Sequence, residues 1–133
     1  MAQKISFPWG LPGLEDYQEF TFNLLGKDSA FCFLQAVRQP EVGLLVVNPY
    51  VYFSDYRIQL SREVAGRLKI EHQKQVAVLC TVNTSRGADE ATVNLLAPII
   101  INTKQLLGKQ VVLTDSNYSF RTPFAGRAKR EAL

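Results

Sequence analysis

The stretch Thr92–Leu113, TVNLLAPIIINTKQLLGKQVVL, constrains the fold more than any other part of the chain. It holds two hydrophobic runs, Val93–Ile101 and Val111–Leu113, joined by a short polar turn. A continuous apolar run rich in β-branched residues reads as a strand buried on both faces. Pro98 interrupts the first run. Proline cannot donate a ladder hydrogen bond, so it marks a bulge, a kink or an edge position. Two strand pieces are therefore expected, Ala91–Leu96 and Ile99–Ile101, bent at Ala97-Pro98. Asn94 and Asn102 bracket the bend. An Asn in such surroundings needs hydrogen-bond partners, and each is expected to tie a neighbouring loop to the strand.

The rest of the chain supplies partners for these strands. Phe7-Pro8-Trp9-Gly10-Leu11-Pro12-Gly13 is a rigid, turn-rich opening whose alternating Phe7, Trp9 and Leu11 are expected on the core. Glu19–Leu25 alternates, with Phe20, Phe22 and Leu24 on one face, and Ala30–Val37 follows across Gly26-Lys27-Asp28-Ser29 as the second arm of a hairpin. Gly43–Val47 is a short apolar strand ended by Asn48-Pro49. Tyr50-Val51-Tyr52-Phe53, followed by Tyr56, is an aromatic cluster that reads either as a binding surface or as alternating core and rim. Leu60–Ile70 is the one good helix, with Leu60, Val64 and Leu68 as its apolar stripe, Ser61 as its cap and Glu63 in its first turn. Gln75–Val82 is another strand and Thr84–Glu90 a hairpin loop. Asn102–Leu107 reads as one helical turn stopped by Gly108, and Val111–Thr114 with Asn117–Phe120 as a last hairpin. Seven or eight short strands without a βαβ rhythm predict a mainly β chain: a small antiparallel roll or barrel-like single domain with one or two short helices.

At 133 residues the chain fits one domain with a core of its own. Residues 1–121 are assigned to that domain and residues 122–133 to a basic C-terminal tail, either loose or ordering on a partner. Arg121, Arg127, Lys129 and Arg130, set against Glu131, account for the whole net charge of +3, which leaves a nearly neutral body. That is weak support for a nucleic-acid ligand. No apolar run approaches the ~20 residues of a membrane span. The opening MAQKISFPWG has no apolar core of a signal sequence, so a cytoplasmic protein is expected. Cys32 and Cys80 sit among apolar neighbours and read as small buried hydrophobes.

Motifs for catalysis are missing. His72 is the single histidine and is flanked by Glu71 and Gln73, as a solvated side chain would be. No Cys or His spacing suits a metal, no Gly-rich loop suits a phosphate, and no nucleophile elbow is present. No catalytic residue, cofactor or metal is expected. An RNA-binding barrel is the second reading, with Tyr50, Tyr52, Phe53 and Tyr56 for stacking and Arg57, Arg62 and Arg67 for charge, although these do not alternate along one strand. From the residues alone, a protein-binding module ranks ahead of an RNA binder, and an enzyme comes last.

Four blocks then point to a family: Phe7-Pro8-Trp9-Gly10-Leu11-Pro12-Gly13-Leu14-Glu15; Phe31-Cys32-Phe33-Leu34-Gln35-Ala36 with Val47-Asn48-Pro49; Phe53-Ser54-Asp55-Tyr56; and Thr92–Asn102 with Gly108–Leu113. In this order and spacing the sequence resembles the FliW flagellar assembly factors. The resemblance implies a small, mainly antiparallel β roll or barrel and a non-enzymatic cytoplasmic regulator, a monomer on its own. It implies binding of the translational repressor CsrA and of flagellin in competition, relieving repression of flagellin mRNA, with no direct nucleic-acid or membrane contact. The family carries a strand before the Phe-Pro segment, for which only the six residues before Phe7 are available here. Either that strand is absent or the chain is a truncated start, and closure of the barrel turns on which. The family also tends to be acidic, whereas this chain is net basic, so electrostatic exclusion of RNA would need a locally acidic partner-facing surface. Asn48, Pro49, Asn94, Pro98 and Asn102 are expected to fix the backbone. Tyr52, Phe53, Tyr56 and Leu96 are expected at the protein contact, where an apolar helix face could lie.

Overall fold

The protein was analysed as a computed structural model, and the structure describes residues 3–124. Its strands are β1 (Lys4–Ser6), β2 (Glu19–Leu24), β3 (Phe31–Ala36), β4 (Gly43–Val47), β5 (Val76–Asn83), β6 (Thr92–Val93), β7 (Ile99–Asn102), β8 (Leu107–Gln110) and β9 (Thr122–Pro123). One α-helix, α1 (Arg62–Arg67), and three 3-10 turns fill the connections. The pairing order β4-β3-β2-β1-β8-β7-β5 closes on itself through β4–β5, giving a seven-strand barrel. Closure removes the free edges that an open sheet would expose. β6 and β9 extend the far end of β5 as a small side arm, through Val82↔Val93 and Val93↔Thr122.

Closure depends on the shortest strand of the ring. β1 pairs antiparallel with β2 through Ile5↔Phe20 and parallel with β8 at Ser6↔Leu107. The strand before Phe7 is therefore present and bridges the ring. It can be this short because a small barrel needs only a few backbone bonds at each seam, and because Ile5 and Phe7 on either side of Ser6 are buried. The β1–β8 seam is the one parallel contact between the described strands of a sheet expected to be mainly antiparallel.

Strand alternation sends side chains into two cores. The barrel interior holds Phe7, Phe20, Leu34, Val46, Ile99 and Ile101. The other face of β3, β4 and β5 carries Phe31, Val47 and Cys80 into a second cluster, roofed by Phe53, Tyr56 and Phe124 from the connecting segments. Phe124, 3% exposed, directly follows β9 and packs in this second cluster. The tail beyond it, residues 125–133, lies outside the described residues. Cys32 faces the first core and Cys80 the second, and both thiols are free and buried.

The bend at Pro98 forms as expected. Asn94 Oδ1 accepts the Ala97 N–H at 2.9 Å, and Gln110 Nε2 donates to the Ala97 carbonyl at 2.9 Å. The β7–β8 register continues past the bend: Val111 N–H donates to Pro98 O and Leu113 N–H to Leu96 O, at 2.9 and 2.8 Å. Pro98 cannot return a bond to Val111, so the ladder loses its reciprocal partner there. Residues 111–114 are extended but form no hairpin with 117–120, contrary to expectation. Instead Ser119 O accepts the Leu95 N–H at 3.1 Å, so the return segment lies along the residues before the bend.

The expected helical turn at Asn102–Leu107 is a tight strand-to-strand turn, and Gly108 lies inside β8. A side chain at Gly108 would strike the Phe7 ring, which lies across it. Asn102 is fully buried: its amide donates to Leu68 O (2.7 Å) and Lys69 O (3.0 Å), and its Oδ1 accepts from Lys104 and Gln105 N–H (3.0 Å each). One side chain thus joins the helix end to the β7–β8 turn with all its hydrogen-bonding capacity used.

The helix is shorter than its apolar stripe suggested. Ser61 Oγ caps it at Val64 N–H (3.2 Å). Lys69, at φ +56°, ends it, with Lys69 N–H donating to Gly66 O and Ile70 N–H to Ala65 O, a Schellman stop. Leu68 of the stripe is fully buried. Trp9 departs from the expected inward alternation of Phe7 and Leu11: it is 41% exposed, with the Arg67 guanidinium and the Lys109 ammonium 5.8 and 5.5 Å from its ring centre. Leu24, at the end of β2, also faces solvent.

Candidate functional site

The aromatic cluster of the sequence is a roof over the second core. Asn48 Oδ1 accepts the Tyr50 N–H at 3.0 Å, with buried Pro49 at the first position of a 3-10 turn. This turn reverses the chain after β4 and drops Phe53 and Tyr56 inward. Phe53 is 8% exposed and Tyr56 1%. The Tyr56 hydroxyl donates to Leu95 O at 2.6 Å, and Cys80 Sγ lies 4.0 Å from it. Its ring meets Tyr118 edge-on with centroids 4.8 Å apart. The Tyr118 hydroxyl in turn accepts the Arg57 N–H at 2.9 Å. The two phenols stitch the 53–57 segment to residues 95 and 118. Tyr52 is half-buried, its ring against Phe31 and Phe124.

Burial governs the ionisation of these groups. It pushes the Tyr56 phenol well above its ordinary range, and the adjacent Cys80 acts in the same direction. It raises the Cys80 thiol to about 12 against the lowering pull of the Tyr56 hydrogen bond. The Cys32 thiol is raised to about 11 by burial alone. Both sulfurs are thiols at neutral pH, with none of the thiolate that nucleophilic chemistry uses.

The residues expected at the protein contact are thus divided. Phe53 and Tyr56 are core. Any contact through them would require opening the roof, because their surface is already occupied by Phe124, Tyr118 and Leu95. Tyr52 and Leu96 keep part of their surface on solvent. Leu96 sits where its carbonyl accepts from Leu113, beside the extended residues 111–114.

Those residues form one wall of a groove of about 870 Å3 that the sequence did not single out. Arg57–Ser61 and Val64 of α1 line it from another part of the chain, and Asp115 and Ser116 complete the lining. Ile58, Leu60, Val111 and Val112 supply its apolar surface, and Val112 is 57% exposed. The alternation of Ile58 and Leu60 was a visible signal. It had no obvious partner, because the second wall comes from a distant part of the chain. A separate cleft beside β1 and β2 is lined by Glu15, Asp16 and Glu19 with Arg38.

Among the described residues, no group of three or more His, Cys, Asp or Glu side chains is placed to hold a metal. No described helix is long and apolar enough to cross a membrane. His72 is exposed at the entry to the turn before β5.

Fold and site together define a closed seven-strand β-barrel with a second core strapped to its outer face and an apolar groove beside the strap. A family model described as FliW protein matches residues 1–124, and the chain belongs to this family. The flagellar assembly factor FliW of Bacillus licheniformis is 36% identical over 126 residues, covering 95% of this chain and 88% of its own. That of Bacillus subtilis matches at the same identity and coverage. A crystal structure of the flagellar assembly factor FliW superposes with a TM-score of 0.83 at 34% identity, covering 91% of this chain and 84% of that one.

Proposed function

We propose that this chain acts in flagellum assembly as a non-enzymatic regulator in the cytoplasm. It binds CsrA, and it binds newly made flagellin, and the two compete. Binding of CsrA away from its RNA surface relieves repression of flagellin mRNA, and export of flagellin frees the regulator again. The reading rests on one observation: family membership across all the described residues, with relatives named as flagellar assembly factors. The barrel suits such a role because it presents preformed surface, and in this reading binding alone carries the signal. The cleft beside β1 and β2, with Glu15, Asp16 and Glu19, is the locally acidic surface that electrostatic exclusion of RNA would use.

Within this reading, Tyr52 and Leu96 lie at the partner contact, while Phe53 and Tyr56 hold the surface from beneath. Calorimetric titration of the chain with CsrA, alone and after saturation with flagellin, tests it. Tight binding abolished by flagellin is the expected result, with Tyr52→Ala weakening it about tenfold while the variant, although less stable, stays folded by circular dichroism at the titration temperature. No heat with either protein would remove the partner-switch reading. A salt-dependent titration with single-stranded RNA would then test the RNA-binding alternative.

A further inference from the structure

The groove between residues 57–61 and 111–116 has two properties beyond its apolar lining. The first concerns the backbone. Val111 and Leu113 direct their N–H groups at Pro98 and Leu96, so in this extended segment the Val112 N–H points to the opposite side, the side of the groove. It makes no hydrogen bond to a described residue, and neither do the N–H groups of Ile58, Gln59 and Leu60 on the facing wall. Neither wall is helical, and residues 111–113 continue the β8 ladder through their bonds to Pro98 and Leu96. In a barrel that has otherwise paired its edges, this is unpaired strand-like backbone flanking an apolar trough.

The second property is charge. Arg57, in the lining, and Arg62, next in the chain to Ser61 of the lining, are both exposed. The Arg57 guanidinium reaches only the carbonyls of Ser54 and Tyr56, and among the described residues neither arginine is in an ion pair. Asp115 is the one acidic residue of the lining.

We infer that this groove binds an extended, acidic-apolar segment of a partner polypeptide by strand addition, with backbone bonds to the unpaired N–H groups and alternate apolar side chains over Ile58, Leu60 and Val112. Strand addition takes its affinity from main-chain bonds and its selectivity from pockets for alternate side chains, and this groove offers both. A carboxylate on the segment meets Arg57 and Arg62. The chain's own residues 125–133 are the wrong occupant: Arg127, Lys129 and Arg130 would bring like charge to the same wall.

The test is selection of a displayed library of random dodecapeptides on the full chain, followed by titration of the strongest binder as a synthetic peptide. Selected sequences are expected to alternate apolar residues and to carry Asp or Glu. The bound peptide slows amide hydrogen exchange at Val112 and within Ile58–Leu60. Val112→Asp lowers affinity at least tenfold, as does Arg62→Glu, while Phe33→Asp, at an exposed position of β3, leaves it unchanged. Val112 and Arg62 are both exposed, so circular dichroism of the variants is expected to match the parent. Failure to select any peptide, binding in a helical conformation, protection elsewhere, or unaltered affinity of Val112→Asp each overturns the proposal. Concentration-dependent protection of these amides without peptide also overturns it, since the occupant is then a second copy of the chain.

Discussion

At the scale of single residues, the most informative side chain is Tyr56, because its chemistry invites two opposite roles. An aromatic with a hydroxyl suits an interface, where one end is dry and the other wet. Here the wet end is satisfied internally by Leu95 O. Tyr56→Phe is expected to cost about 1–2 kcal/mol through the orphaned carbonyl. Tyr56→Ala is expected to cost about 3–5 kcal/mol by opening the second core, which chemical denaturation would read directly. Partner binding by the Phe variant is expected to persist. The buried thiols carry a second prediction. The folded protein holds Cys32 and Cys80 above their ordinary value of 9.0, so it favours their neutral forms. Their contribution is full below about pH 9 and is lost as pH rises toward 11 and 12. Denaturation midpoints are expected to be level from neutral to about pH 8.5 and to fall above it. The fall is shallower in a Cys32→Ala, Cys80→Ala variant.

At the scale of elements, short strands work here because side-chain bonds and close contacts replace missing ladder. Asn102 holds the helix end to the β7–β8 turn, and Asn94 with Gln110 holds the bend where Pro98 breaks reciprocity. β8 approaches the Phe7 ring so closely that only glycine fits at position 108. Gly108→Ala is therefore expected to destabilise by about 1–3 kcal/mol through overpacking, despite the better strand propensity of alanine. An unchanged melting temperature would show that Phe7 can move aside. The roles of Asn94, Asn102 and Pro98 were visible in the sequence, because polar atoms and a proline in an apolar run demand a local solution. The role of Gly108 was misassigned as a helix stop. A glycine after a polar turn signals freedom of the backbone, and nothing local distinguishes that from a ring packed across it.

At the scale of the molecule, two cores share three strands. β3 sends Leu34 inward and Phe31 outward, β4 divides Val46 and Val47, and β5 completes both. Neither core can be lost while the other keeps its wall. Unfolding is therefore expected to be a single transition, with Trp9 fluorescence, tyrosine signal from the outer roof and far-ultraviolet circular dichroism superimposing. Two separated transitions would show that the roof opens independently.

The sequence by itself determined the mainly β class, the strand positions from Glu19 to Val82, the break at Pro98, the capped helix and the family. These follow from periodicity, proline and glycine chemistry and ordered motifs, all of which act between near neighbours in the chain. Only the tertiary structure decided that three residues near the N-terminus close the barrel, that Phe124 packs in the second core, and that Phe53 and Tyr56 are core while Trp9 is not. It also joined Ile58 and Leu60 to Val111 and Val112 as one groove. The physical reason is common to all four. An alternating strand presents two faces, and which face meets water is settled by whatever distant segment comes to cover it.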